Sequence, residues 1–302
     1  MNTLEKCVTS KDNGVNIREF LKDELGLSSR LIRRSAREKR IFVNDEAVKM
    51  SFNLSEGDKV KINLDREESQ DIVPEKMDLD IVYEDQDILV INKRPFMVVH
   101  PTKTYQSGTL ANGVINYFKE TGQGCIVRLV SRLDMNTSGL IVIGKNQYAH
   151  MALSKDMKEN KMQKRYLAIV HGNLKEKEGT IDLPIYRPEK EDGFSSIKRV
   201  VDERGQRSIT HYKVLESFNG GDLVECLLET GRTHQIRVHL SSLGHPIYGD
   251  FLYGDGDNEL DLINRQALHA YGLDFESPRN KKPLSLRAEM PDDFKELIEK
   301  IK

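Results

Sequence analysis

Ile126-Val127-Arg128-Leu129-Val130-Ser131-Arg132-Leu133-Asp134-Met135-Asn136-Thr137-Ser138-Gly139-Leu140-Ile141-Val142 is the stretch from which this 302-residue chain is best read. Apolar residues lead in, a polar loop follows, and a second apolar run leaves, which predicts strand, loop and buried strand. Asp134 stands mid-loop, with Asn136, Thr137 and Ser138 beside it as hydrogen-bonding groups. Two readings fit the spacing: a capped turn in which Asp134 accepts backbone N–H groups, and a reactive carboxylate projected from a rigid sheet. Around this stretch, strands are expected at 80–83, 88–91, 166–170, 210–215 and 223–229, and helices at 109–119 and 147–158. A last amphipathic helix carries Phe294, Leu297, Ile298 and Ile301. Strand runs punctuated by helices, without regular βα alternation, predict an α+β domain on a mixed, mainly antiparallel sheet.

Upstream the pattern changes. Ile17, Phe20, Leu21 and Leu25 recur at helical spacing until Gly26, and Ser28 or Ser29 can cap a second helix. In that helix Arg30, Arg33, Arg34 and Arg37 share one face. Ile41–Ser51 then reads as a hairpin turning at Asn44-Asp45, and Lys59–Ile62 as a further short strand. Residues 28–40 carry six basic residues and one acidic, net +5, whereas residues 64–80 carry seven acidic and two basic, net −5. The acidic stretch is read as a linker, giving a small domain at 14–63, a linker at 64–79 and a larger domain at 80–302.

Lys+Arg 46 against Asp+Glu 48 leaves a formal net charge of −2, which excludes a wholesale polycation but not a local basic patch. No apolar run reaches the roughly 18 residues a membrane span needs, and the N-terminal stretch has no secretory core. Three cysteines, with no close pair, favour a reducing cytoplasm over a disulfide framework.

A second polar cluster is Thr230-Gly231-Arg232-Thr233-His234-Gln235-Ile236-Arg237-Val238-His239-Leu240. Arg237 falls in a mainly apolar stretch, and a buried guanidinium demands a carboxylate. A structural ion pair and a functional one both satisfy that demand. His234, His239 and His245 are five and six apart, unlike a helical zinc pair, and Cys-x-x-Cys is absent, so no metal is expected. Phosphate-loop and dinucleotide fingerprints are also missing, and no cofactor is expected. Tyr166 follows Lys164-Arg165 at the start of a strand, where a solvated strand-edge aromatic is the plain reading.

Taken together, and in this order, Asn92-Lys93…Val99-His100-Pro101, Arg132-Leu133-Asp134-x-x-Thr137-Ser138-Gly139, Thr230–His239, Gly244-His245-Pro246-Ile247-x-Gly249-Asp250 and Leu268-His269-Ala270 resemble the RluA/RluD family of RNA pseudouridine synthases. The helix pair with Ile41-Phe42-Val43-Asn44 and Gly57-Asp58 resembles an S4 RNA-binding domain. The resemblance runs from about Val15 to Ser277. It implies that Asp134 is the catalytic nucleophile, Tyr166 the active-site tyrosine and Arg237 the partner of the aspartate. Arg132 would hold the RNA open, and the arginines at 30, 33, 34 and 37 would meet phosphates.

The implied reaction breaks C1′–N1 of uridine, turns the retained base and joins C1′ to C5. It is redox-neutral and needs no nucleotide cofactor. Attack of the carboxylate at C1′, attack at C6 and assisted elimination all fit the pattern. Large-subunit ribosomal RNA is the implied substrate, with tRNA as the alternative, and the enzyme is expected to act as a monomer. Two other classes compete: a catalytically silent RNA-binding or ribosome-assembly protein, and a glycosidase that would release free uracil. Three positions depart from the family pattern. Ser131 stands where His often precedes Arg-Leu-Asp, and Arg94 and Phe96 replace the usual Pro and Gly.

Overall fold

The computed structural model describes residues 2–65, 68–189 and 196–302, and its strands divide between a four-stranded sheet near the N-terminus and a ten-stranded sheet in the rest of the chain. The small unit comprises β1 (Thr3–Cys7), α1 (Ile17–Asp23), α2 (Ser29–Arg37), β2 (Ile41–Val43), β3 (Glu46–Ala47) and β4 (Lys59–Asn63). Asn16 caps α1 and Ser28 caps α2, the latter accepting from Leu31 N at 3.2 Å. Each cap satisfies an amide that the helix start would otherwise leave unpaired. Asn44 and Asp45 both adopt positive φ, as a tight two-residue hairpin turn requires.

Ile17, Phe20, Leu21, Leu31, Ile32, Val60 and Ile62 form the core of this unit, and Arg30, Arg33 and Arg37 are left outside. The sheet order is β1-β4-β2-β3, so the unit begins at Thr3, ahead of the boundary expected at 14. Thr3–Cys7 has little strand pattern of its own. Its extended form comes from pairing with β4, more than 50 residues away, which no local window registers.

The acidic stretch is laid along the larger unit. Ile72 is buried among Leu110 and Val114, Gln70 exchanges two hydrogen bonds with the backbone of Val127, and Asn112 donates to Val73 O at 2.8 Å. Arg66 and Glu67, part of the expected linker, lie outside the described residues. The two units also touch directly: Tyr148 and Met151 pack into the small unit's core.

The larger unit runs β5 (Ile81–Glu84), β6 (Ile88–Lys93), α3 (Leu110–Glu120), β7 (Arg128–Leu129), β8 (Ser138–Gly144), α4 (Gln147–Lys158), β9 (Gln163–His171) and β10 (Glu178–Asp182). A two-stranded ribbon, β11 (Ile185–Tyr186) with β12 (Val200–Val201), follows. The chain then continues through β13 (Ile209–Ser217), β14 (Gly221–Leu228), α5 (Gln235–Ser242), β15 (Leu268–Glu276), β16 (Pro283–Arg287) and α6 (Asp292–Ile301). The main path of the sheet is β10-β13-β14-β9-β15-β8-β6-β5. Its pairs are antiparallel except β15 with β8, so the sheet is mixed and mainly antiparallel.

β8 is buried along its whole length, which is why its sequence is continuously apolar rather than alternating. Ile141 and Ile143 face α3, and Leu140 and Val142 face α4. At full burial each such side chain contributes about 1.5–3 kcal/mol. Gly139 sits where β8 meets β15: a Cβ there would lie 2.2 Å from Ala270 O, and its φ is +111°. That glycine lets the two strands, which carry the polar loops, run side by side. Among the described residues no helix is long and apolar enough to cross a membrane.

Candidate active site

Asp134 lies in the loop that feeds β8, and two buried cations hold that loop from beneath. Lys93, at the end of β6, donates to the carbonyls of Arg94, Met97 and Met135 at 2.9, 3.0 and 2.9 Å. Three ammonium donors thus meet three acceptors. Burial pulls the Lys93 pKa down to about 7, Arg265 pushes it the same way, and the Asp134 charge opposes both. Arg265 is fully buried, grips Asp293 of α6 through two hydrogen bonds at 2.6 and 2.8 Å, and donates to Asn136 O at 3.2 Å. The carbonyls of both residues after Asp134 are therefore fixed by buried side-chain donors. Farther along, Gln266 donates to Thr137 Oγ1, and Ser138 Oγ pairs with His269 Nδ1 at 2.9 Å.

The opposite wall comes from α5. Thr230–Gln235 is fastened by the Gln235 side chain, which accepts from Thr230 Oγ1 and Arg232 N and donates to Ile209 O and Thr210 Oγ1. His234 precedes the helix at φ 59°, a left-handed conformation that a non-glycine residue holds at a cost of about 1–3 kcal/mol. It turns the chain so that Arg237 points inward. Asp250, with no exposure, receives Arg237 Nε and Nη2 at 2.7 and 2.8 Å, and the remaining Nη1 reaches Asp134 Oδ2 at 3.1 Å. The guanidinium also lies 5.0 Å from the Tyr253 ring centroid, a cation–π distance. Burial works against the charge of Arg237, but the two carboxylates outweigh it and its pKa is raised.

His234 Nε2 stands 3.8 Å from Asp134 Oδ2, and Nδ1 is 2.8 Å from Tyr253 Oη. Burial lowers the His234 pKa despite Asp134, so this imidazole is neutral at neutral pH and Arg237 is the cation that faces Asp134. Tyr166, on β9, is buried. Its burial, and then the Asp134 charge, push the hydroxyl well above the usual tyrosine range, so it keeps its proton.

Asp134, Arg132, Tyr166 and Arg237 line one pocket, with Leu133 and Leu268 as apolar wall. Arg30, Arg33, Arg34 and Arg37 line a different, open groove on α2, as their helical spacing predicts. Tyr253 escaped the sequence reading. The demand for a carboxylate beside Arg237 was legible, and Asp250 stood in the Gly244–Asp250 motif, but nothing in the sequence joined the two. Arg265 carried no local signal, and Lys93 stood in the Asn92-Lys93 motif without an assigned role. Among the described residues no group of three His, Cys, Asp or Glu side chains is arranged to hold a metal.

His269 gives a pH test of the support. Burial first, and Arg265 next, lower its pKa to about 4. An unfolded imidazole takes up its proton near pH 6.5, so between about pH 6.5 and 4 the unfolded state binds more protons and stability falls on acidification. The full loss from this residue is roughly 3 kcal/mol. Urea unfolding at pH 7 and pH 4.5 is expected to show that drop in wild type and a smaller one in His269→Gln. Equal drops would remove His269 as the cause.

A profile of the RNA pseudouridylate synthase family matches residues 87–242. The uncharacterized RNA pseudouridine synthase YlyB of Bacillus subtilis is 38% identical over all of this chain and 99% of its own length. Ribosomal large subunit pseudouridine synthase D of Neisseria meningitidis is 37% identical over 87% of this chain and 72% of its own. Among solved structures, human RNA pseudouridylate synthase domain containing 1 aligns with a TM-score of 0.58 and 29% identity, covering 70% of this chain and 83% of that one. The matched span runs from β6 to α5 and holds the Asp134 loop, Tyr166 and Arg237, so the polar geometry and the likeness fall on the same residues: the chain is an isomerase of the RNA pseudouridylate synthase family.

Proposed function

We propose that Asp134 is the nucleophile in the conversion of uridine to pseudouridine in structured RNA, with large-subunit ribosomal RNA as the substrate. The observation that carries this reading is the chain Asp134–Arg237–Asp250. Asp250 holds the guanidinium by two bonds, so its third nitrogen meets Asp134 without a search for geometry. A fixed cation orients the carboxylate, as a nucleophile or a stabiliser of positive charge at C1′ requires. C1′–N1 breaks, the base turns within the pocket, C1′–C5 forms, and the proton on C5 is lost while N1 gains one.

Tyr166 enters as a neutral phenol packed against the base, not as a phenolate, because its proton is held so tightly. Burial disfavours a charged His234 beside Asp134, which leaves Arg237 as the charge partner. Extruding the target uridine costs a few kcal/mol, and the apolar wall and Arg132 at the pocket mouth offset it. The ribosomal substrate is supported by the name of the Neisseria relative.

In this reading the small unit is an S4-type RNA-binding domain, and α2 meets phosphates. Changing Arg30, Arg33 and Arg37 together to Ala is expected to weaken RNA binding about tenfold near 0.1 M salt and to lower the salt slope by about 3. Arg34 is left in place because it pairs with Glu38 at 3.6 Å. An unchanged slope in filter-binding titrations would remove α2 from the interface. The reaction itself is tested by tritium release from RNA labelled at uridine C5, taken from cells lacking the enzyme. Release without free uracil supports isomerisation, and fractionating the RNA separates ribosomal from transfer RNA substrates. Free uracil would instead indicate a glycosidase.

A further inference from the structure

Arg94-Pro95-Phe96-Met97 is a turn at the end of β6, and Phe96 occupies its third position with φ +58°. Proline followed by positive φ is the pattern of a type II turn, whose third residue is ordinarily glycine because a Cβ is strained there. A bulky aromatic at such a position is uncommon and costs stability. Nothing in the core recovers that cost, since Phe96 is 51% exposed and belongs to no buried cluster.

The turn is nonetheless rigidly placed. Lys93 Nζ bonds the carbonyls on both sides of it, at Arg94 and Met97, and Met97 N donates to Met135 O at 3.2 Å. Met135 is the neighbour of Asp134 in the chain, so the ring is carried on the same Lys93 support as the Asp134 loop. Arg94, in the same turn, and Arg132, two residues before Asp134, are both exposed.

We propose that Phe96 is a stacking platform for a nucleobase of the RNA substrate adjacent to the uridine held in the pocket, and so a determinant of which RNA is accepted. This rests on the reading of the Asp134 pocket as the site that receives RNA. An exposed aromatic on a rigid turn, with exposed cations on the same and the neighbouring loop, is the chemistry by which proteins grip an unstacked base: the ring takes the π-face and the cations take the phosphates. Extruding a uridine leaves its neighbours without a stacking partner, which gives the ring its occupant. Fixing the turn before binding spares the complex the cost of ordering that backbone.

The test compares wild type, Phe96→Gly and Phe96→Trp, as full chains, in tritium release from C5-labelled RNA of cells lacking the enzyme, alongside thermal melting. Phe96→Gly is expected to melt no lower than wild type, because glycine relieves the turn. Its KM for RNA is expected to rise about tenfold, a typical loss of one stacked base, with kcat within about twofold. Phe96→Trp is expected to keep the wild-type KM. An unchanged KM in Phe96→Gly, or an equal loss in Phe96→Trp, overturns the platform while wild-type turnover leaves the pocket reading intact. Absence of release by wild type from every RNA fraction overturns the pocket reading instead.

Discussion

Asp134→Asn is expected to lower the rate of tritium release by about ten-thousand-fold or more while leaving RNA affinity within about threefold of wild type. The substitution keeps shape and removes only the charge. Arg237 retains its two bonds to Asp250, so the guanidinium is not stranded. The Asp134 side chain is 29% exposed, and loss of one partly solvated pair lowers stability by no more than about 1 kcal/mol. A folded, RNA-binding, inactive protein is thus the expected outcome. Release at near wild-type rate would remove Asp134 from the reaction. A parallel loss of RNA binding and activity would point to a carboxylate that shapes the pocket rather than reacts in it.

Arg237→Met produces the second large effect, and it falls on stability as well as rate. Asp250 has no exposure and would be left as a buried carboxylate without its cation, at a cost of about 3–5 kcal/mol. Asp134 loses its partner in the same step, and turnover is expected to fall by about a hundredfold to a thousandfold. The double variant Arg237→Met with Asp250→Asn separates the two consequences. Neutralising Asp250 removes the stranded charge, so denaturant unfolding is expected to recover a large part of the lost stability. Turnover stays low because the guanidinium no longer faces Asp134. If the double variant recovers activity together with stability, Arg237 acts only as scaffold; if the single variant is as stable as wild type, Asp250 is not the buried anchor its geometry implies.

Much of the fold was legible because its signals are local. The cap at Ser28, the turn at Asn44-Asp45 and the unbroken apolar run of β8 each sit within a few residues of the element they specify. Helix α4 was read at Gln147–Lys158, the limits it has in the structure. β1 was missed for the converse reason, as its strand depends on a distant partner. The linker reading was local too: negative charge and a proline say loop, but not that Ile72 and Gln70 dock on the larger unit.

The site divides along the same line. Asp134, Tyr166, Arg132 and Arg237 were named from motifs, and all four line one pocket. The sequence by itself determined the polar loops, the apolar strands that carry them, the basic face of α2 and the need of Arg237 for a carboxylate. Only the tertiary structure decided that Asp250 takes two of the three guanidinium nitrogens and leaves the third for Asp134, that Lys93 and Arg265 hold the Asp134 loop from below, and that Phe96 stands exposed on the same support. The physical reason is that propensity, capping and periodicity act between near neighbours in the chain. Pairing a buried charge requires groups that are close in space, such as Arg237 and Asp134, 103 residues apart.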